Sequence, residues 1–583
     1  QSAIQAFEKA LQSDATDAEA HVRVGGARLA LKELEEATSS FKAAIHLDPT
    51  SAQAHAGLGA TLQVQGKTEE AIQCFRRGVE SAPSDATLRA QLGNALMEGG
   101  DPSGALTAFE HALRLKPDYP EILNNMGLLL KEKGNLDVAE KCYRMAIRVR
   151  PGYAPPYNNL GSLLLEKSLF CEAESCCRQA LELQSDFHLA RNNLANALAG
   201  QGRFEEAERL YRETIQADPS IAEVHFNLAA SLANNLRFQE ALSSYDNALR
   251  ARPDYPEAHL NRALISLLMG RLDEGWAGYE WRMKVRDPRR LYTAPGPDLQ
   301  MWDGSDIAGK SILVRCEQGF GDTIQFSRFL PLLKERGAHV VFECHRELCG
   351  LFEGFPGVES LQAMKREPPS ARFDTYVQLL SLPGLLGIRD VGSIPWPGPY
   401  IRADETRVRQ WGGRIRCDRP TVGLVWAGNP IHKNDYHRSI PAQIIMPLLD
   451  TPGVKFFSLQ KGKHAADLEA SGRAERLDPH LLDFSETAAA IENLDLVIAV
   501  DTAVAHLAGA MGKPVWTLLP YRPDWRWLLE RSDSPWYPSM KLFRQSAHGD
   551  WPSVIGVVSS ELRRFLESAV IRRIRPEVAG ARP

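Results

Sequence analysis

Residues Asp495–Trp516 read DLVIAVDTAVAHLAGAMGKPVW. Leu496 to Val500 form a short apolar run, the pattern of a strand buried on both faces. Asp501 and Thr502 follow, and a small-residue helix is predicted from Ala503 to about Ala510. Gly512 stops that helix, and Pro514 leads into a second apolar run, Val515–Leu519. Strand, tight turn, helix and strand in succession make the unit of a parallel sheet. The turn directs the free amides of the helix start over the sheet edge. Those amides and the helix dipole favour an anion, by about 0.3–2 kcal/mol for the dipole alone, and a nucleotide phosphate is the natural candidate. Two plainer readings stand beside it. Asp501 and Thr502 are also residues that cap helices, and Ala508, Gly509 and Ala510 also suit close helix–sheet packing.

The string DTAVAHLAGAMGKPVW, which contains His506, resembles the donor-binding signature of heptosyltransferase-like glycosyltransferases. The resemblance implies two Rossmann-like lobes facing a cleft, the arrangement called GT-B. Asp501, Thr502, Ala503 and His506 then lie on the nucleotide-sugar side.

The amino-terminal half is organised differently. It repeats with a period of 34 residues. Pro49, Pro83, Pro117, Pro151, Pro219 and Pro253 fall in register, with Ser185 in the gap. Gly25, Gly59, Gly93, Gly127, Gly161, Ala195, Ala229 and Ala263 form a small-residue column, and Ala37 to Ala241 form another. Phe41, Phe75, Phe109, Tyr143, Tyr211, Tyr245 and Tyr279 form an aromatic column, interrupted by Cys177. Small residues admit close helix approach, the aromatic fills the gap, and proline ends the second helix. The columns resemble the tetratricopeptide repeat, an α-solenoid or superhelix, over residues 1–285. Gln1 falls in mid-repeat, so a natural start further upstream is expected.

Asn125, Asn159, Asn193, Asn227 and Asn261 form one more column. Asparagine is a mediocre helix former, so its recurrence asks for a reason. Its amide both donates and accepts, which suits the backbone of an extended peptide. The column resembles the asparagine ladder of O-linked N-acetylglucosamine transferases, implying a bound protein acceptor. Hydrogen bonding between repeats is the alternative.

Between the halves, LDEGWAGYEWRMKVR (272–286) keeps Tyr279 but places Arg282 where earlier repeats carry a small residue. The GWxxYEWR string resembles the joint of bacterial proteins that fuse such repeats to a heptosyltransferase-like domain. Residues 286–308 are read as a linker, docked by Trp302.

Ser311–Arg315 is predicted as a strand, EQGFGD (317–322) as a glycine loop, and Thr323–Arg336 as an amphipathic helix. Strands are expected at His339–Glu343 and Thr375–Leu380, and an interlobe crossing at 383–400. Residues 309–400 form the acceptor-side lobe and 401–583 the nucleotide-sugar lobe. In the second lobe, strands are expected at Pro420–Val425, Val454–Leu459 and Leu481–Phe484. Helices are expected at Pro441–Leu449, Ser485–Leu494 and Glu561–Val570.

Gly319 and Gly321 are read as part of the donor site, with a tight turn as the plainer reading, and Asp322 is placed to cap the helix. The longer string RCEQGFGDTIQFSRFLP resembles the first strand and loop of heptosyltransferase-like enzymes, which implies Asp322 as the general base, with orientation of the acceptor as the alternative role. A positioned carboxylate contributes roughly 10²–10⁴-fold to such a proton transfer. The loop WAGNPIHKNDYHR (426–438) is implied to face the donor, with Asn429, Lys433 and Arg438 around the phosphate. Arg438 is the first choice for the leaving group and Lys433 the second, since a fixed cation stabilises charge that develops in the transition state. Gln460 is implied to lie near the base and ribose. PYRPDWRW (520–527) and DSPWYP (533–538) suit either sugar stacking or docking of the carboxy-terminal helix.

Net charge is −5, which gives no sign of a nucleic-acid binder. The nine cysteines lack metal-ligand spacing and fit a reducing compartment; Cys171, Cys176 and Cys177 are read as packing residues. Without an apolar run long enough for a membrane span, the expected location is cytoplasmic. The expected activity is inverting, metal-independent transfer of a sugar from a UDP-, ADP- or CMP-linked donor to a protein, with flagellin one candidate and oligomers through the repeats conceivable. An inactive repeat scaffold and a lipopolysaccharide heptosyltransferase are the competing readings.

Overall fold

A computed structural model describes residues 11, 16–285, 299–317, 319–364, 373–395, 398–430 and 435–574. The chain divides into two compact units, Gln1–Ser231 and Leu232–Pro583.

The first unit is a run of helix pairs. First helices of 13 residues, such as Ala52–Val64 and Ala86–Glu98, alternate with second helices of 14, such as Thr68–Ser81 and Pro102–Leu115. A Cβ on Gly59 would lie 2.8 Å from the Phe75 ring, and one on Gly93 2.4 Å from Phe109. The small column is therefore small because the aromatic of the same repeat fills its space. Cys177 takes the aromatic's place against Gly161 and is fully buried, whereas Cys171 is exposed and is not a packing residue. Each pair turns through a left-handed residue, glycine at 66, 100, 134 and 202, with Lys32 and Ser168 as exceptions. A second tie recurs six residues after the proline column. His55 Nε2 lies 2.9 Å from Pro49 O, and Arg89 Nε and Arg191 Nη2 donate to the carbonyls of Pro83 and Ser185.

The second unit opens with the remaining repeat helices. The last, Leu272–Tyr279, is cut to 8 residues and runs into a 3₁₀ turn, Glu280–Met283. Two parallel sheets follow. The smaller contains β1 (Ser311–Arg315), β2 (His339–Cys344), β3 (Ser360–Ala363) and β4 (Thr375–Gln378), in the order β3-β2-β1-β4. The larger contains β5 (Thr421–Val425), β6 (Lys455–Ser458), β7 (Ala474–Arg476), β8 (Leu496–Val500), β9 (Val515–Leu519) and β10 (Met540–Arg544), in the order β10-β9-β8-β5-β6-β7. The larger sheet has the doubly wound order, reversing between β5 and β8, and the smaller reverses between β1 and β4. Ligands of open parallel sheets bind outside the strand ends at such reversals.

Several expected elements are corrected. The predicted strand at 481–484 is absent: Leu482 is exposed, and Asp483 caps the helix Phe484–Glu492 by accepting from Glu486 N. Pro331 divides the helix expected at 323–336, leaving Phe320–Phe326, a 3₁₀ turn and Leu330–Glu335. Pro447 similarly confines the helix expected at 441–449 to Ala442–Ile445. The final helix is longer than expected, Trp551–Ile574, and its Trp551, Val554, Ile555, Val558 and Leu562 join the core of the larger sheet. Trp302 docks as expected: it is buried, and its N and Nε1 donate to Tyr376 O and Ser305 O.

Candidate active site

The loops at the two reversal points meet. Gly321, after β1, lies against His506, after β8; a Cβ there would come within 2.8 Å of His506 Cδ2 and 3.5 Å of Ala503 Cα. This close approach brings the Asp322 helix onto the helix Ala503–Ala510.

Asp322 sits in the first turn of Phe320–Phe326, whose N-cap position is Gly319. Its Oδ1 accepts from Arg526 Nη2 at 2.6 Å. Gly319 leaves the space that Oδ2 needs, since a Cβ there would stand 2.3 Å from it. Burial raises the Asp322 pKa; Arg526 and His506 oppose that shift, while Asp524 and Glu317 add to it. The result is a carboxylate more basic than an ordinary aspartate, with its side chain still 31% exposed.

On the facing lobe, Thr502 occupies the N-cap position of Ala503–Ala510, yet its Oγ1 donates back to Val500 O at 3.2 Å and no side chain caps the helix. His506 is buried, stacked on Trp527 at 5.2 Å, with Nδ1 3.0 Å from Tyr537 OH and Nε2 3.6 Å from Asp501 Oδ1. Burial would raise the Asp501 pKa, but the neighbouring His506 and Trp527 ring N–H groups and the nearby Arg438 charge hold it well below the usual carboxylate range. Gly509 meets the Tyr537 ring, where a Cβ would be 2.5 Å from Cγ, so the small residues of this helix also serve packing.

Arg438 reaches the same locus. It donates to Asp435 Oδ1 at 3.2 Å, and both side chains pack over Gly428, where a Cβ would lie 2.3 Å from Asp435 Oδ1 and 2.7 Å from Arg438 Nε. Asn429 is exposed on the same loop, and Lys433 falls outside the described residues. Gln460 lies just after β6. It is buried, its Oε1 accepts from Trp426 N and Ala427 N, and its Nε2 donates to Ala427 O and Lys461 O. With its amide so engaged, it props the loop after β5.

The aromatic clusters are also corrected. Trp525, Trp527, Trp536 and Tyr537 are buried and offer no stacking face to a sugar. Trp525 packs edge-on to Trp276 at 5.4 Å, Tyr279 at 6.1 Å and Phe326 at 6.3 Å, joining the last repeat to both lobes.

Two residues escaped the sequence reading. Arg526 spans the lobes, donating to Asp322, Asp524 and Gln325 Oε1. Arg282 is 1% exposed and donates through Nη2 to Glu317 Oε1 at 2.7 Å and Ser381 Oγ at 2.8 Å. Ser381 follows β4 and Glu317 follows β1, so the last repeat inserts its guanidinium at the reversal point of the smaller sheet. The only sequence signal was an arginine in a small-residue position.

The asparagine column bonds between repeats. Asn159 donates to Asn124 and Asn193 to Asn158, each at 2.9 Å, and Asn227 donates to Asn192 at 3.1 Å. Asn125 donates to Asn94 at 2.9 Å and accepts from Asn124 at 3.3 Å. The preceding column, Asn124, Asn158 and Asn192, is thus half of the relay. Position 226 is phenylalanine, whose side chain has no acceptor, and Asn261 lies beside the Tyr245 hydroxyl.

These features define a tetratricopeptide-type solenoid joined to a heptosyltransferase-like α/β domain. The profile of the Cilia and flagella-associated protein 70 C-terminal domain matches residues 2–264, and that of glycosyltransferase family 9 (heptosyltransferase) matches residues 464–547, which include Asp501–His506. Protein FlbA of Caulobacter vibrioides is 29% identical over 332 residues, covering 52% of this chain and 54% of FlbA, so the chain spans about half the length of that relative. Among solved structures, YrrB, described as a TPR protein with an unusual peptide-binding site, is 26% identical with a TM-score of 0.29, covering 32% of this chain and 97% of YrrB. The APC/C hetero-tetramer Cut9–Hcn1 is 16% identical with a TM-score of 0.37, covering 44% of this chain and 50% of that one. Among the described residues, no helix is long and apolar enough to cross a membrane.

Proposed function

We propose that the chain transfers a sugar from a nucleotide-sugar donor to a hydroxyl of a protein held by the repeats, in a GT-B cleft and with inversion. One observation carries this reading: Asp322 and the uncapped amides after Thr502 belong to loops that touch through Gly321 and His506. A base and a phosphate cradle on opposite lobes are what direct displacement at an anomeric carbon requires. Asp322 takes the acceptor proton through the oxygen that Arg526 leaves free. The amides of Ala503 and Val504, with Arg438 nearby, hold the phosphate as negative charge grows on it.

Protein as acceptor is the finer part of the proposal. It rests on the repeat array and on the spare capacity of its asparagines, each of which spends one N–H on the relay and keeps a second. The location proposed is the cytoplasm, and flagellin is one acceptor to try. The test is thermal shift with UDP, ADP and CMP and their sugar conjugates. A ligand at 100 times its Kd stabilises by about 2.7 kcal/mol. Absence of any shift would leave a scaffold without transferase activity.

A further inference from the structure

A second cavity, of about 600 Å³, lies away from Asp322 and Asp501, where the penultimate repeat faces the loops after β9 and β10. Leu236, Phe238 and Met269 form its apolar wall, and Tyr521, Arg544 and Gln545 form the other side. We propose that it binds an acidic residue flanked by an apolar one, carried on the acceptor polypeptide; this rests on the protein-acceptor reading above.

The donors on the lobe side are incompletely used. Arg544 Nε and Nη2 donate to Arg531 O at 2.8 Å and Trp527 O at 2.6 Å, and among the described residues no carboxylate pairs with it. Burial, with some repulsion from Arg531, pushes its guanidinium down to about 10. Beside it, Gln545 is buried; its Oε1 accepts from Tyr521 N and Gly549 N, while its Nε2 has no partner. Buried donors left open are rare and ask for an acceptor. Of the two acidic residues at this cavity, Glu240 is paired with Arg237 at 2.6 Å and Glu530 is exposed at the rim.

The backbone carries a second sign. Leu236 has φ +58° in a turn column that holds glycine at 66, 100, 134, 202 and 270 and the non-glycine residues Lys32 and Ser168 elsewhere; of these three non-glycine residues, Leu236 lines this cavity. Glu530, also lining the cavity, has φ +54°. Non-glycine residues kept in this strained region gather at ligand sites. A leucine here supplies an apolar surface that the usual glycine would not. Donors at one wall and aliphatic and aromatic carbon at the other match a carboxylate next to a Leu, Met or Phe side chain. A bare anion would leave the apolar wall uncovered.

The test is selection of a random decapeptide library on the immobilised full chain, followed by sequencing. Wild type should enrich Asp or Glu beside Leu, Met or Phe about tenfold. Arg544→Gln and Gln545→Glu should lose the acidic preference, and Met269→Trp, which fills the cavity, should lose the apolar one. Circular dichroism melts establish that each variant is folded, and Met269→Trp keeps the test decisive if Arg544→Gln does not fold. No acidic enrichment, or equal enrichment in folded wild type and variants, would overturn the proposal. So would full displacement of selected peptides by equimolar inorganic phosphate, which would make this a free-anion site. A chain that selects acidic peptides but is unshifted by every nucleotide would keep this site and lose the transferase reading. The reverse pattern would lose only this site.

Discussion

Oδ1 of Asp322 on the smaller lobe accepts a hydrogen bond at 2.6 Å from Nη2 of Arg526 on the larger one. The pair joins the two reversal points and tunes the proposed base. Burial raises the carboxyl's pKa and Arg526 works against that rise. Replacing Arg526 by Gln should therefore raise the pKa further. The acidic limb of the pH–rate profile, already above that of an ordinary aspartate, should move to higher pH, whereas a purely structural Arg526 would lower the rate equally at every pH.

The same shift has a stability consequence. A carboxyl whose pKa is raised on folding costs stability as pH climbs from its unfolded to its folded value, and the cost persists above that range. Asp322→Asn should thus melt higher than wild type near neutral pH, keep nucleotide binding and lose transfer. Melting curves across pH check the sign: the gain should vanish in acid.

Arg282 and Glu317 form a buried ion pair at 2.7 Å, with side chains 2% and 6% exposed. Breaking a buried ion pair by removing one partner typically costs about 3–5 kcal/mol. Arg282→Met should destabilise the second unit by that order and release hydrogen-exchange protection after β1. The double variant Arg282→Met/Glu317→Met should recover much of the loss in chemical denaturation.

The asparagine relay makes Asn158 a structural residue although it stands outside the column proposed to face a peptide. Asn158→Ala leaves the Asn193 amide without its acceptor and the Asn159 carbonyl without its donor. A loss of about 1–3 kcal/mol is expected, read by urea unfolding. A ladder devoted only to a ligand would leave Asn158→Ala silent.

Leu236→Gly should relieve a left-handed leucine and stabilise the chain by about 1 kcal/mol. The same change should weaken acidic–apolar peptide binding, measured by fluorescence anisotropy. A stabilised variant with unaltered binding would separate the strain from the cavity.

The repeats were legible because the columns report contacts made within each repeat, as Gly59 with Phe75. The central strands were legible because burial on both faces leaves an uninterrupted apolar run, as in Leu496–Val500. β3 (SLQA) and β10 (MKLFR) are edge strands with part of their surface open, so their composition is mixed and they were missed. Leu481 and Leu482 looked like a strand because adjacent leucines carry no period; Asp483 decided for a helix. Asp322, Asp501 and His506 stood out through their strings. Arg526 and Arg282 did not, because their partners lie on other elements, 204 and 35 residues away. The backbone bonds of Gln460 were not legible, since a glutamine after a strand reads alike whether it faces a ligand or the backbone.

The central claim is that Asp322 and the Asp501–His506 turn serve one reaction on a polypeptide. Intact-mass spectrometry of candidate acceptors, flagellin included, co-produced with wild type or with Asp322→Asn tests it most directly. The account predicts a sugar-sized mass increment with wild type only, while both chains remain stabilised by the same nucleotide. An equal increment with both chains, or a nucleotide that stabilises neither, would contradict it.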